Sequence, residues 1–160
     1  MESPVLSWLN KQNCLHFLEF QHNIYAEEVV MFYKSLKEHD GNIVGIVHDR
    51  RIELSPGYIG QLVGLDNDGL SYWHDPKSWS HEHYDIKECI SKLTQESSTR
   101  YLDFNIMPPV SIFGPNTYIL FVLIMRNLMG RERNDAKIDY MTGFVMWKIM
   151  SQVKLNLPFS

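Results

Sequence analysis

The chain has 160 residues, 44% of them hydrophobic and 21% charged, with 15 basic and 19 acidic side chains. This balance is typical of one soluble domain, so we predict a single helical domain over residues 1–160. A net charge of −4 lacks the excess of Lys and Arg that a dedicated nucleic-acid binder needs, which argues against nucleic acid as a partner.

The cysteine content and the apolar runs indicate a cellular location. Two cysteines cannot form a disulfide framework, and the N-terminus has neither the basic nor the apolar region of a secretory signal. The most apolar stretch, Tyr118–Met125, is shorter than the roughly 20 residues that a membrane span requires. We therefore expect an intracellular protein of the cytoplasm or nucleus, with no membrane span and with import into an organelle left open.

The first half of the chain predicts helices around a small hairpin. We expect residues 1–22 to form an N-terminal arm or helix, and an amphipathic helix to run from Asn23, a good N-cap, to Asp40-Gly41. Two β-rich runs around a polar turn then predict a two-stranded hairpin, Ile43–Val47 with Ile52–Leu54.

A short helix should follow the hairpin. Ser55 and Pro56 have the types preferred at an N-cap and at the first helical position, and Gly64 is typical of a helix end.

The second half predicts three longer helices. The first runs from about Ser80 to Thr94 and is followed by a polar linker, residues 95–100. The second is the apolar helix, opened by Gly114-Pro115 and closed by Gly130. The last spans about Ile138–Val153. Together these patterns predict a mainly α fold, a compact bundle of about five or six helices with one small two-stranded β-hairpin.

The last helix is apolar on more than one face. Its large side chains suggest an apolar surface that binds another protein or a second copy of the chain, through Phe144, Met146, Trp147 and Met150. The alternative is that both faces pack inside the monomer, because fully buried helices are also apolar all round.

A group of basic residues suggests a second hypothesis, contact with nucleic acid through Arg126, Arg131, Arg133 and Lys137. Acidic residues alternate with these charges, so a solvated loop between helices is the simpler interpretation. No other local positive cluster appears in the sequence.

The best metal candidate in the sequence combines imidazoles with a thiol: His74, His81, His83 and Cys89. A spacing of two residues would point His81 and His83 to different sides of a helix, and no second ligand pair completes the shell. Whether the four converge in space is left open, and we predict no metal.

No catalytic motif stands out. Cys14 with His16 or His22 is a conceivable thiolate–imidazole pair, but a small buried apolar residue is the simpler interpretation of this cysteine. The paired acids Glu27 and Glu28 suit the first turn of a helix. Gly57, Gly60 and Gly64 do not follow a strand in a dinucleotide-binding pattern. We therefore predict no enzyme, no catalytic residue and no cofactor.

Several stretches, in their order and spacing, carry a resemblance to a known family: Glu27–Leu36, Ile52–Leu65, Met125–Met129, Ile138–Met141, Met146–Met150 and Val153–Pro158. Over about residues 23–158 the chain resembles the plant transposon-protein domain, a retrotransposon-derived family similar to the plant mobile domain. Gly130 stands where that family has a proline, and the chain stops at Ser160 where relatives continue, so we expect a shortened copy.

The resemblance implies a plant protein of transposon ancestry and supplies no catalytic residues. Our leading hypothesis is a non-enzymatic protein–protein interaction module that acts through the apolar surface near the last helix. The nucleic-acid hypothesis is the alternative. A toxin- or antidote-like factor of a selfish plant locus is also compatible with such an ancestry, although no residue argues for it.

Overall fold

A computed structural model describes residues 3–15, 23–70, 84–95, 99–128 and 138–157. Within these ranges the chain forms seven α-helices, one three-stranded sheet and a 3₁₀ turn at Val110–Ile112. The elements are α1 (Pro4–Lys11), α2 (Ala26–Ser35), β1 (Lys37–His39), β2 (Asn42–Val47), β3 (Arg50–Leu54), α3 (Pro56–Val63), α4 (Ile86–Thr94), α5 (Thr99–Phe104), α6 (Pro115–Asn127) and α7 (Tyr140–Met150). The mainly α prediction is confirmed, although these ranges contain seven helices and not the expected five or six.

The predicted two-stranded hairpin is wrong, because the sheet has a third strand. It is an antiparallel meander in the order β1–β2–β3. The residues expected to end the second helix, Asp40 and Gly41, form the turn between β1 and β2 instead, with φ of 50° and 76°. Two consecutive positive φ angles define the turn that matches strand twist, and Asp-Gly is among its preferred sequences. Helix α2 stops at Ser35, because Leu36 leaves the helical conformation, with ψ of 128°, and leads into β1.

Other boundaries also differ from the sequence patterns. Helix α2 begins at Ala26 after Tyr25 rather than at Asn23. Helix α4 begins at Ile86, since Asp85 caps it by accepting hydrogen bonds from two backbone amides of its first turn. Helix α5 contains the last part of the segment expected to be a polar linker. Helix α6 ends at Asn127, and Gly130 lies outside the described residues.

The signals around α3 are confirmed. The Ser55 side chain accepts a hydrogen bond from the amide of Tyr58, and Pro56 occupies the first helical position. Gly64 takes the left-handed conformation, with φ of 68°, and so ends the helix.

Helix α7 is the centre of the core. It packs against α1, α4 and α6, and from Thr142 to Met150 every residue except Lys148 is buried. The surrounding helices contribute side chains of at most 5% exposure: Val5, Leu9, Cys89, Ile90, Leu93, Leu120, Phe121 and Ile124. A helix that is apolar all round requires such enclosure.

Helix α4 contacts α7 through a hydrogen bond from a side chain to the backbone. The Cys89 thiol donates a hydrogen bond to the carbonyl of Gly143 across 3.4 Å. Three rings surround this contact, because Tyr84 lies edge-on to Phe144, with centroids 5.2 Å apart, and 5.9 Å from Trp147. The phenol of Tyr84 donates to the carbonyl of Tyr140 across 3.1 Å. These contacts fix the register of α4 along α7.

A buried amide ties the C-terminal segment to α1. The Nε2 of Gln12, which is 2% exposed, donates to the carbonyl of Val153 across 2.7 Å, and its Oε1 accepts from the amide of Leu155 across 2.9 Å. The same segment forms a parallel bridge between Leu155 and Leu70. Gln12 thus satisfies two backbone groups that would otherwise be buried without partners.

We predict that Gln12→Leu lowers the free energy of unfolding by about 2–4 kcal/mol, because it leaves one buried carbonyl and one buried amide without hydrogen bonds. Urea denaturation followed by circular dichroism measures the change. The matched control is Gln61→Leu on the exposed side of α3, for which we expect a change within about 0.5 kcal/mol. Equal effects of the two substitutions would contradict the role of Gln12.

Candidate interaction surface

The predicted interface residues on the last helix do not lie on a surface. Phe144, Met146, Trp147 and Met150 have exposures of 3%, 0%, 3% and 6%. The helix that carries them packs against α1, α4 and α6. Packing inside the monomer is the alternative that the sequence also allowed. The expected apolar docking surface at these four residues is therefore corrected: they form the core of the monomer.

The exposed apolar surface lies instead on α2 and the sheet. Helix α2 has no buried residue, and its extensive contact among the described elements is with β2 alone. Large apolar side chains with exposures between 36% and 84% are concentrated in this region: Ile24, Tyr25, Val29, Val30, Met31, Tyr33, Leu36, Ile43, Ile46 and Ile52. Concentrated apolar exposure of this kind is typical of interaction sites, so this region is the candidate surface.

A groove of about 560 Å³ runs between α2 and the β3 side of the sheet. One wall is a single helical stripe, because residues at spacings of three and four share a face: Tyr25, Glu28, Val29, Phe32 and Tyr33. The floor is formed by Val47 of β2 with Ile52 and Leu54 of β3. The register pairs Gly45 with Ile52 and Ile43 with Leu54, so these side chains share one face of the sheet.

Two contacts hold α2 over β2 and leave β3 uncovered. The ring of Phe32 lies directly on Gly45, where an added Cβ would clash with the ring. The hydroxyl of Ser35 accepts a hydrogen bond from the amide of Ile46 across 2.6 Å. Ser35 precedes β1, so its side chain continues the hydrogen bonding of β1 along β2.

A contact between His48 and Glu28, a residue that lines the groove, joins α2 to the hairpin turn. The Nε2 of His48, in the turn between β2 and β3, lies 3.2 Å from the Oε1 of Glu28 on α2. The pKa of Glu28 is lowered, first by a hydrogen bond from its own backbone amide and second by the hydrogen bond with His48. The pair therefore bridges the helix to the hairpin turn.

Of the predicted basic patch, only Arg126 lies in the described part of the chain. It is exposed at the C-terminal end of α6, where a positive charge complements the helix dipole. Arg131, Arg133 and Lys137 lie outside the described residues, so the nucleic-acid hypothesis stays a prediction.

The candidate metal ligand Cys89 lies in the hydrophobic core. It is fully buried, and burial raises the pKa of its thiol to about 12. The other three members, His74, His81 and His83, lie outside the described residues. Among the residues that the structure describes, no group of three or more His, Cys, Asp or Glu side chains is placed to hold a metal ion.

A second cleft, of about 700 Å³, lies beside α7. Its floor includes Lys148, whose Nζ lies 3.6 Å from the centroid of the Trp147 ring. Burial lowers the pKa of this lysine, although Glu88 and Asp85 at the rim oppose the shift. Burial raises the pKa of Tyr84, and its hydroxyl is already engaged with Tyr140. The arrangement is a cation–aromatic contact between Lys148 and Trp147 at the side of the cleft.

Comparisons with protein families, with curated proteins and with solved structures find no match to this chain. None of the helices in the described ranges combines the length and hydropathy needed to cross a bilayer. The geometry of the described residues is therefore the basis for assigning a function.

We predict that both cysteines of the native protein react with Ellman's reagent about 100-fold or more slowly than in guanidinium at the same pH. Burial raises the pKa of Cys14 to about 11 and that of Cys89 to about 12, so almost no thiolate forms near pH 8. The unfolded chain is the control. Rapid labelling of Cys89 in the native protein would contradict this account and identify a reactive nucleophile.

Proposed function

We propose that this chain is a non-enzymatic protein-interaction module, which binds a partner polypeptide as an added strand at the outer edge of β3. The observation that supports it is the apolar groove between α2 and β3, which adjoins a strand edge with no paired strand in the described part of the chain. Strand addition uses backbone hydrogen bonds for affinity and pockets for alternate side chains for specificity.

The hydrogen-bonding pattern identifies the backbone groups available at this edge. The turn His48-Asp49 has two residues with positive φ, 46° and 61°, so Val47 and Arg50 are the first hydrogen-bonded pair. Alternate residues of β3 then face β2, and the amides and carbonyls of Arg51 and Glu53 face outward. The hydrogen bond from the amide of Ile46 to Ser35, on the β1 side, agrees with this alternation.

The groove supplies the matching pockets. A strand added beside β3 would place every second side chain on the face that carries Ile52 and Leu54, under the overhanging stripe of α2. Apolar side chains at these positions would cover surface that is now exposed on Tyr33 and Val29, which are 70% and 43% exposed. The proposed partner is therefore a strand with apolar residues at alternate positions.

The wider assignment follows from the sequence resemblance. We propose that the module derives from a plant transposon protein and acts inside the cell. The order of the motifs over residues 23–158 supports this ancestry, and the burial of both cysteines supports a non-enzymatic role.

We predict that panning a random peptide library against the full chain enriches peptides with alternating apolar residues, and that Glu53→Pro weakens their binding at least tenfold. Proline removes the outward amide of residue 53, which takes no part in the backbone hydrogen bonds between β3 and β2. Fluorescence anisotropy of labelled peptides measures the Kd.

The matched control is Glu38→Pro, because the amide of Glu38 faces outward from β1, at the opposite edge of the same sheet. We expect it to leave peptide affinity within about twofold of the wild type. Circular dichroism verifies that both variants fold. A library that yields no binders, or binders equally tight to Glu53→Pro, would refute strand addition at β3.

A further inference from the structure

We infer that the polypeptide added at the β3 edge is a second copy of this chain, joined by antiparallel pairing of β3 with β3 about Ile52. The inference rests on the proposed function and names its partner. It follows from the outward backbone groups, the order of charges along β3 and the continuity of the apolar groove.

Two-fold symmetry restricts the register. In an antiparallel pair of identical strands, the outward-facing residues of one copy must oppose outward-facing residues of the other. Pairing about Ile52 satisfies this condition, because Arg51 opposes Glu53 of the second copy and Glu53 opposes its Arg51. Each of these two pairs exchanges two backbone hydrogen bonds.

The charges select this register over its neighbours. Pairing about Arg51 would oppose two guanidinium groups, and pairing about Glu53 would oppose two carboxylates, both of which are unfavourable. Within one chain Arg51 and Glu53 already lie on one face, with 3.1 Å between Nη2 and Oε2, and their side chains are 57% and 43% exposed. In the symmetric pair each charge gains a second partner of opposite sign.

The apolar face continues across the same axis. Ile52, which is 36% exposed, would oppose Ile52 of the second copy as a closely spaced pair on the face that forms the groove floor. The two grooves would merge into one, bounded by both α2 helices. Leu54 would oppose Arg50 of the second copy, whose aliphatic stem suits an apolar neighbour.

The opposite edge of the sheet lacks this complementarity. In β1 the outward residue is Glu38, so symmetric pairing about it would oppose two carboxylates. Charged residues on an edge strand usually oppose association. On β3 the outward residues Arg51 and Glu53 have opposite charges, so their charges favour pairing with an antiparallel copy. On β1 the outward residue is Glu38, and its charge opposes such pairing.

Sedimentation velocity on the full chain over increasing concentration tests the inference. We expect a reversible dimer with a Kd between about 1 µM and 1 mM, the range of small transient interfaces. Arg51→Glu and Glu53→Arg should each weaken the dimer at least tenfold, because each gives β3 two like charges. An equimolar mixture of the two variants should restore it, since a strand with two acids then opposes a strand with two arginines.

The matched controls carry the same charge changes on the other edge, Lys37→Glu and Glu38→Arg, and should dimerise as the wild type does. A wild-type chain that stays monomeric, single variants that dimerise normally, or a mixture that gains nothing over the single variants would each overturn the inference. Peptide binding that is sensitive to Glu53→Pro, together with a strictly monomeric chain, would reject the second copy and retain the proposed function. A chain that neither dimerises nor binds peptides in a manner sensitive to Glu53→Pro would reject both the inference and the proposed function.

Discussion

The enclosure of helix α7 is the constraint on which the rest of the fold depends. A helix that is apolar on every face is stable in water only when other elements cover all of it, and α1, α4 and α6 do so here. Two sets of hydrogen bonds hold the surrounding elements in place. Cys89 donates to the carbonyl of Gly143, which sets α4 against α7, and Gln12 pairs with the backbone on either side of Lys154, which holds the C-terminal segment against α1.

Within the described residues, the helices that pack around α7 make no extensive contact with α2 or the sheet. The ring of Phe32 on Gly45 and the hydroxyl of Ser35 join α2 to β2, and most residues of β3 are exposed. An isolated small sheet with one helix has only a thin core. Its remaining apolar surface and its free edge at β3 are therefore the features of the described chain best suited to binding another polypeptide.

Helix ends can be predicted from the sequence where adjacent residues determine them. The interaction surface cannot be predicted in this way. Ser55-Pro56 and Gly64 bracket α3 as expected, since capping depends on adjacent residues. In sequence Asp40-Gly41 is compatible with a helix end, but the same pair is also a strong hairpin signal, and in the fold it forms the turn that follows β1. Both α2 and α7 carry large apolar side chains in sequence. Only the packing of distant elements decides that Trp147 is buried and Tyr33 exposed.

Hydrogen–deuterium exchange of the full chain at low and high protein concentration tests the central claim most directly, that the core closes around α7 within one chain and that association uses β3. We predict that α7 amides exchange most slowly and equally at both concentrations, whereas the β3 peptide containing Arg51 and Glu53 gains protection as concentration rises. The account would be contradicted if α7 exchanged rapidly at low concentration and gained protection on association while β3 did not change.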